Sequence, residues 1–324
     1  MTLAVYVAVF LAVYALLAMT YVYAFRGNVR PESLREYTRK CWPMFAPLNC
    51  LLYLNSERRA RRSMMDMAEF PELTELSAEW ETIRDEAMAL YQDRAFEQTT
   101  REGAQASYDI GFHTFFKYGW SKYYLKWYGY THDSAKRTCP RTVELLQSIP
   151  SVKGAMFTLL PPGSKLTRHS DPFACSLRYH LGLATPNSDD CWISIDGTPY
   201  SWRDGEAMMF DETRLHHAAN NTDSYRLILM CDVARPMNVF GRIVNFFYSG
   251  LLRHTVVPND DGDRQGGASS IFAWVTPILN KGKALKKRNR RLYKTIKHVI
   301  NAVLVLLLAA LIALAIYVPT EMFG

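Results

Sequence analysis

Two histidines, an aspartate and an arginine stand at spacings that can hold a metal ion and an anion together. His169 and Asp171 lie in RHSDPFACSLRYHLGL (168–183), and His216 and Arg226 lie in MMFDETRLHHAANNTDSYRLILMCDV (208–233). Two imidazoles and one carboxylate on one side of an ion leave the opposite coordination positions open. That is the ligand set of non-haem Fe(II) oxygenases. A guanidinium ten residues beyond the distal histidine can receive the far carboxylate of a 2-oxo acid co-substrate through a planar, two-pronged contact.

Along a strand, side chains alternate, so His169 and Asp171 share a face and can grip one ion. An HxD pair alone is a weak signal. Its context strengthens it: a Pro-Pro-Gly turn upstream, a strand with Arg178 and His180 downstream, and a second strand end bearing histidine. His216 and His217 are adjacent, and only one can face inward in an extended segment. The even spacing to Arg226 selects His216, provided the intervening turn keeps parity, and leaves His217 facing solvent or backing the site. Arg226 sits in the apolar stretch YRLILMCDV. A buried guanidinium without a partner is very costly, so Arg226 must meet an anion. That anion is either a structural acid such as Asp211 or Asp232, or a bound carboxylate helped by His180 and Thr158. Arg178 reads as a structural pair for Asp211 or Glu212.

Elements that could position these groups are legible around them. From about residue 107 to 236 short apolar stretches such as GAMFTLL, SLRYHLGLA, CWISID and EAMMFDE alternate with turns such as PPGS, TPNSDD and NNTDS. The pattern predicts a mainly β fold, a double-stranded β-helix or jelly roll with flanking helices. Residues 71–97 begin with Pro and keep Leu73, Leu76, Trp80, Ile83, Ala87 and Leu90 on one side. That spacing predicts an amphipathic helix packed outside the core.

Both ends read as membrane. Residues 2–25 and 299–318 carry no charge, and each reaches the ~20 residues that cross a bilayer as a helix. A cleaved signal peptide is the bland alternative for the first, but the apolar run is long and no basic region precedes it. Arg26, Arg30, Arg35, Arg39 and Lys40 follow the first span, and a run from Lys281 to Lys297 precedes the second. The positive-inside rule then places everything between them in the cytoplasm. The net charge of +7 mostly records these flanks, which suit anionic lipid head groups and do not signal nucleic acid. Six cysteines without zinc-type spacing suit free thiols in a reducing compartment. The expected layout is a transmembrane helix (1–27), a juxtamembrane connector and helical region (28–106), the jelly roll (107–236), interfacial helices with a basic segment (237–298) and a second transmembrane helix (299–320). The stretch MNVFGRIVNFFYSGLLRH either lies in the membrane interface or covers an edge of the sandwich. The aromatic run 113–130 either lines the approach of an acyl chain or packs in the core.

From Pro140 to Pro236 the chain resembles the aspartyl/asparaginyl β-hydroxylase family of Fe(II)/2-oxoglutarate oxygenases. The resemblance rests on PRTVELLQSIPSVKGAMFTLLPPGSKLTRH, LRYHLGL, FDET-x-x-H and the arginine ten residues on. It extends loosely upstream to Trp80, Ile83, Glu86 and Leu90. Membrane spans at both ends and the acid in HSDPF make it most similar to the bacterial lipid A 2-hydroxylase branch. The resemblance implies His169 and His216 as iron ligands, and Thr158, His180 and Arg226 as the holders of 2-oxoglutarate. Animal peptide hydroxylases of the family lack a carboxylate at the position of Asp171, which is assigned here as the third ligand. Implied in turn are Fe(II), 2-oxoglutarate and O2, and an enzyme of the bacterial inner membrane hydroxylating the 2-position of an acyl chain of lipid A or a related lipid. Two rivals share the sequence: a membrane-tethered aspartyl/asparaginyl peptide hydroxylase, and a lipid-binding module without catalysis.

Overall fold

This computed structural model describes residues 3–101, 109, 111–112 and 119–299. The helices are α1 (Leu3–Ala24), α2 (Leu34–Lys40), α3 (Ala46–Asn55), α4 (Thr74–Ala78), α5 (Trp80–Gln92), α6 (Ala95–Thr100), α7 (Asp133–Thr138), α8 (Pro140–Ser148), α9 (Val239–Leu252) and α10 (Gly267–Arg288). The strands are β1 (Ser121–Trp127), β2 (Tyr130–Thr131), β3 (Val152–Leu160), β4 (Lys165–His169), β5 (Ser176–Ala184), β6 (Cys191–Ile195), β7 (Thr198–Ser201), β8 (Ala207–Phe210), β9 (His216–Asn220) and β10 (Arg226–Ala234). Two compact units divide the chain at Ser270, and every element that positions the site lies in the first. The expected second span, 299–320, lies outside the described residues except for Val299.

From β3 onward the strands pair first with last. β3 pairs with β10, β4 with β9, β5 with β8 and β6 with β7, all antiparallel. This is one long hairpin wound up so that β10 also meets β5, and β9 also meets β6. The product is a double-stranded β-helix, with a six-stranded sheet in the order β2-β1-β3-β10-β5-β8 and a four-stranded sheet in the order β4-β9-β6-β7.

Between the sheets, Met156, Leu160, Phe210, Ile228 and Met230 meet Ile193, Ile195 and Ala218 in one apolar cluster. The alternate residues of the large sheet point the other way. Phe157, Leu159, Leu177, Tyr179, Leu227 and Leu229 pack on Ile83, Ala87 and Leu90 of α5 and on Val143 and Leu146 of α8. Burial on both faces explains why β5 and β10 read as near-continuous apolar runs. The amides that open α8 hold it in place: Arg141 and Thr142 N–H donate to the Glu86 carboxylate at 3.0 and 2.9 Å, an anion at the positive end of a helix.

The single helix expected over 71–97 is instead a 3-10 turn at Pro71–Leu73 followed by α4, α5 and α6. Glu79 leaves helical geometry at φ −94°, ψ 18°, and Arg94 takes a left-handed φ of 56°. A straight helix of that length would run about 40 Å, past a nine-residue strand of roughly 30 Å. The breaks fold the apolar positions back onto one core: Leu73, Leu76, Ile83, Ala87, Leu90 and Phe96 are all buried in it.

Candidate metal centre

β4 and β9 pair so that His169 and His216 lie directly opposite one another. Their rings stand 4.3 Å apart. In each, Nδ1 is held by a backbone carbonyl two residues earlier, Thr167 O at 2.7 Å and Arg214 O at 2.9 Å. A carbonyl only accepts, so Nδ1 carries the proton and Nε2 is left with a lone pair. Asp171 completes the group, with Oδ1 3.5 Å from His169 Nε2. One donor atom from each of the three residues falls within 4.8 Å of the others. His216 is buried, whereas the His169 and Asp171 side chains are 23% and 26% exposed, so the cluster opens on that flank. Such a donor set fits a divalent ion with free coordination positions.

Asp171 is tied down from two directions. Its N–H donates to Glu212 O at 2.8 Å. Its Oδ2 accepts from Arg178 Nη2 at 3.1 Å, leaving Oδ1 to face the histidines. Arg178 is gripped in turn by the Glu212 carboxylate and by Asp232 Oδ1, 2.9 Å from Nη1. Burial opposes ionisation of Asp171, but the two histidines and Arg178 outweigh it and hold its carboxyl well below the usual range. Glu212 goes the other way, pushed up to about 8 by burial, with Asp232 and Asp171 close by. One guanidinium among three carboxylates thus favours the charge on Asp171, the one group of the three that faces the two histidines.

Burial also pushes His216 down to about 4, against an ordinary value near 6.5. Between these values the unfolded chain binds a proton that the folded chain does not, so stability rises with pH across this window and is lost as pH falls through it. The denaturation midpoint of chelator-treated protein is therefore expected to drop between pH 6.5 and 4. His216→Gln should flatten that dependence by up to about 1.4 kcal/mol per pH unit; an unchanged slope would contradict a neutral buried imidazole.

A second polar group lies deeper between the sheets. Arg226 is fully buried, with its guanidinium 4.4 Å from the ring of Trp202 and 4.9 Å from that of Trp120. Its Nη2 donates to Thr158 Oγ1 at 3.3 Å, while Nε and Nη1 have no hydrogen-bond partner among the described residues. Among the described residues no carboxylate pairs with it, because Asp211 is taken by Arg26 and Arg235, and Asp232 by Arg178. Burial lowers its pKa to about 10. Two orphaned charged donors cost more than the ~1–3 kcal/mol of a neutral one, and an incoming carboxylate would satisfy both. His180 lies between this group and the ion site. Its Nδ1 accepts from Trp202 Nε1 at 3.2 Å, and its Nε2 has no partner among the described residues. Burial and the fields of Arg226 and Arg178 keep it neutral. Ring contacts link the two ends: Phe210 lies 5.8 Å from His216 and 5.1 Å from His180. Gly182 follows on β5 because a Cβ there would sit 1.9 Å from Arg203 O, the close approach that brings Trp202 beside His180.

The six residues read from sequence thus face one interior, in two groups. His217 does not join them: it points to the opposite face of the small sheet against Trp192, on a groove of about 780 Å³. Several details differ from expectation. Asp171 lies just beyond the end of β4, in the loop. Arg226 shares the interior with His216 but not its sheet, since β9 and β10 belong to different sheets. Arg178 binds Glu212, one of its two expected partners, and adds Asp232 and Asp171 in place of Asp211. Sequence reasoning missed Trp202, whose place in the turn-like stretch PYSWRDG hid it, and missed Trp120 as a ring beside Arg226.

Comparison with known proteins bears on this arrangement. The family model described as aspartyl/asparaginyl beta-hydroxylase matches residues 77–236, which include both polar groups. Residues 77–236 form a domain of the aspartyl/asparaginyl β-hydroxylase family. Relatives within it include an ornithine lipid ester-linked acyl 2-hydroxylase from Rhizobium tropici, 32% identical over 59% of this chain and 66% of that protein. The human aspartyl/asparaginyl beta-hydroxylase is 30% identical over 50% of this chain and 21% of its own length. The human aspartate beta-hydroxylase domain-containing protein 2 is 34% identical over 36% and 34%. The chain therefore spans less than two thirds of the length of each of these relatives.

Proposed function

We propose that this protein is a membrane-bound, Fe(II)- and 2-oxoglutarate-dependent dioxygenase that hydroxylates the 2-position of a fatty acyl chain on a membrane lipid, lipid A or an aminolipid such as ornithine lipid. The observation that carries the reading is the pairing of an open His169–Asp171–His216 donor set with a buried Arg226 that meets no acid among the described residues. In the proposal those three residues hold the iron. Arg226 and Thr158 receive the distal carboxylate of 2-oxoglutarate, with the His180 Nε2–H free to donate towards the co-substrate. Bound there, iron with 2-oxoglutarate and O2 supplies an oxidant for an unactivated C–H bond, giving succinate and CO2 as co-products.

The chain's own residues do the rest. Nδ1 contacts to backbone fix both histidine tautomers, as hydrogen-bond partners behind metal ligands do. Arg178 keeps Asp171 in place. Trp120, Trp202 and Phe210 keep the co-substrate chamber dry, which strengthens the electrostatics inside it. No general base is required at the substrate carbon.

The lipid reading draws on the Rhizobium relative and on α1, whose residues Val5–Ala24 have a mean hydropathy of 2.2 and are long and apolar enough to cross a membrane. Mass spectrometry of lipids from cells with and without the protein should show one added oxygen at carbon 2 of an acyl chain, on lipid A or on an ornithine-type lipid. The oxygen should appear only when His169 and His216 are intact. Unchanged lipids together with hydroxylated aspartyl or asparaginyl side chains on co-expressed peptide would overturn the lipid substrate and leave the metal chemistry standing.

A further inference from the structure

The candidate span α1 is bare on most of its surface, with Phe10, Leu16 and Leu17 each more than 60% exposed. One side is covered by the segment that leads to the metal site. Tyr14 Oη donates to Pro47 O at 2.8 Å, at the start of α3, and Tyr37 Oη of α2 donates to Met19 O at 2.9 Å. Tyr14 is ten residues before the last residue of α1, so at ~1.5 Å per residue the Pro47 contact lies about 15 Å along the helix from its end. That is roughly half of a ~30 Å hydrocarbon layer.

The outward residues of this segment suit such a depth. From Trp42 to Asn55 there is no charge, and Trp42, Met44 and Leu54 are half-exposed or more. The basic residues Arg35, Arg39 and Lys40 come just before it on α2, where head groups would lie. α9 extends the same surface. Its Val244 and Tyr248 pack with Leu52 of α3 and Met237, and Asn238 is bonded to Asn55 through both backbone and side chain. Its other face leaves Phe240, Ile243, Phe246, Phe247 and Leu251 exposed. Large exposed apolar patches mark interaction surfaces, and this one is continuous with the span.

The same platform carries the loop that holds Asp171. Asn49 of α3 donates to Pro172 O at 2.9 Å and accepts from Ala174 N–H at 3.0 Å. Phe173 packs 4.4 Å from Phe45 and 5.2 Å from Tyr248. The open flank of the metal site, formed by His169 and Asp171, therefore adjoins α3 and α9. We infer that α3 and the exposed face of α9 are sunk in the same lipid leaflet as the end of α1, so that the site draws its acyl chain sideways from the leaflet. The embedding stands on geometry alone, whereas the entry route rests on the lipid-hydroxylase reading.

Nitroxide labels on the full chain in phosphatidylcholine nanodiscs separate the two. With the partly exposed Cys41 and Cys50 replaced by serine, labels are placed by Met44→Cys, Leu54→Cys and Phe247→Cys, with Phe10→Cys as the membrane reference and Tyr91→Cys as the aqueous one. Labels at 44, 54 and 247 should collide with oxygen and be shielded from a polar nickel complex, as at 10 and opposite to 91. Behaviour like position 91 would overturn the embedding. So would shielding from both reagents, the mark of a protein partner or a second copy on this face. Phe246→Glu combined with Phe247→Glu should cut lipid hydroxylation more than tenfold while leaving metal affinity unchanged. Full turnover in that variant would overturn the entry route. Embedded labels with no lipid product from the unsubstituted chain would leave the embedding standing and sink the lipid reading.

Discussion

Replacing His216 by alanine is expected to abolish retention of ferrous ion and with it all hydroxylation, whereas His217→Ala should keep both. The two residues are neighbours, so the comparison controls for place in the chain. His216 presents a free Nε2 to the cluster with His169 and Asp171. His217 lies on the other face of β9 against Trp192. Losing a ligand should cost more than the 10- to 100-fold in affinity typical of losing an outer-shell partner. His217→Ala should shift stability by no more than about 0.5 kcal/mol, as surface substitutions do. Metal content after anaerobic gel filtration and co-product succinate together read the outcome. Iron retained by His216→Ala, or lost from His217→Ala, would show that the donor set is wrongly drawn.

Arg226→Met should raise the 2-oxoglutarate KM by roughly a hundredfold or more, since two charge-assisted hydrogen bonds at ~1.5–3 kcal/mol each are removed and each 1.4 kcal/mol is a factor of ten. The maximal rate at saturating co-substrate should fall far less. A structural arginine would behave differently. Because Arg226 pairs with no acid among the described residues and leaves two donors unsatisfied, an apolar side chain of similar length should leave the co-substrate-free protein as stable as before, or more so. Arg226→Lys should rescue KM only in part, because an ammonium lacks the two-pronged geometry. A lowered denaturation midpoint with an unchanged KM would mark Arg226 as a packing residue.

The sequence revealed this site because its chemistry interrupts an otherwise apolar pattern. β5 and β10 are buried on both faces, so Arg178, His180, Arg226 and Asp232 stand out as the polar residues of strands that should be oily, and all four turn to the interior between the sheets. The jelly-roll class followed from short apolar stretches alternating with frequent turns, whereas the order of the strands came only with the structure. Of the partners of Arg178 only Glu212 was read, since Asp232 and Asp171 come from a strand and a loop whose convergence depends on how the sheets close. Trp202 was hidden for the same reason: a tryptophan in a polar turn gives no hint that a missing Cβ at Gly182 will bring it over Arg226. The broken helix between 71 and 97 was illegible because periodicity reports a face, and the apolar face persists through both breaks.

The platform of α3 and α9 was half legible. The sequence left α9 divided between lying in the membrane interface and covering an edge of the sandwich. In the structure one face of α9 packs on α3 through Val244 and Tyr248 while the other shows its phenylalanines. A two-sided helix satisfies both readings, which is why spacing alone could not choose.

The most direct test is an anaerobic titration of the chelator-stripped full-length protein with ferrous ion and then 2-oxoglutarate, read by calorimetry and by visible absorption. One ion per chain should bind, and a charge-transfer band should appear only when the co-substrate follows; Arg226→Met should need far more of it, and His216→Ala should show neither event. Failure of the unsubstituted protein to take up the ion, or equal uptake by His216→Ala, would contradict the account.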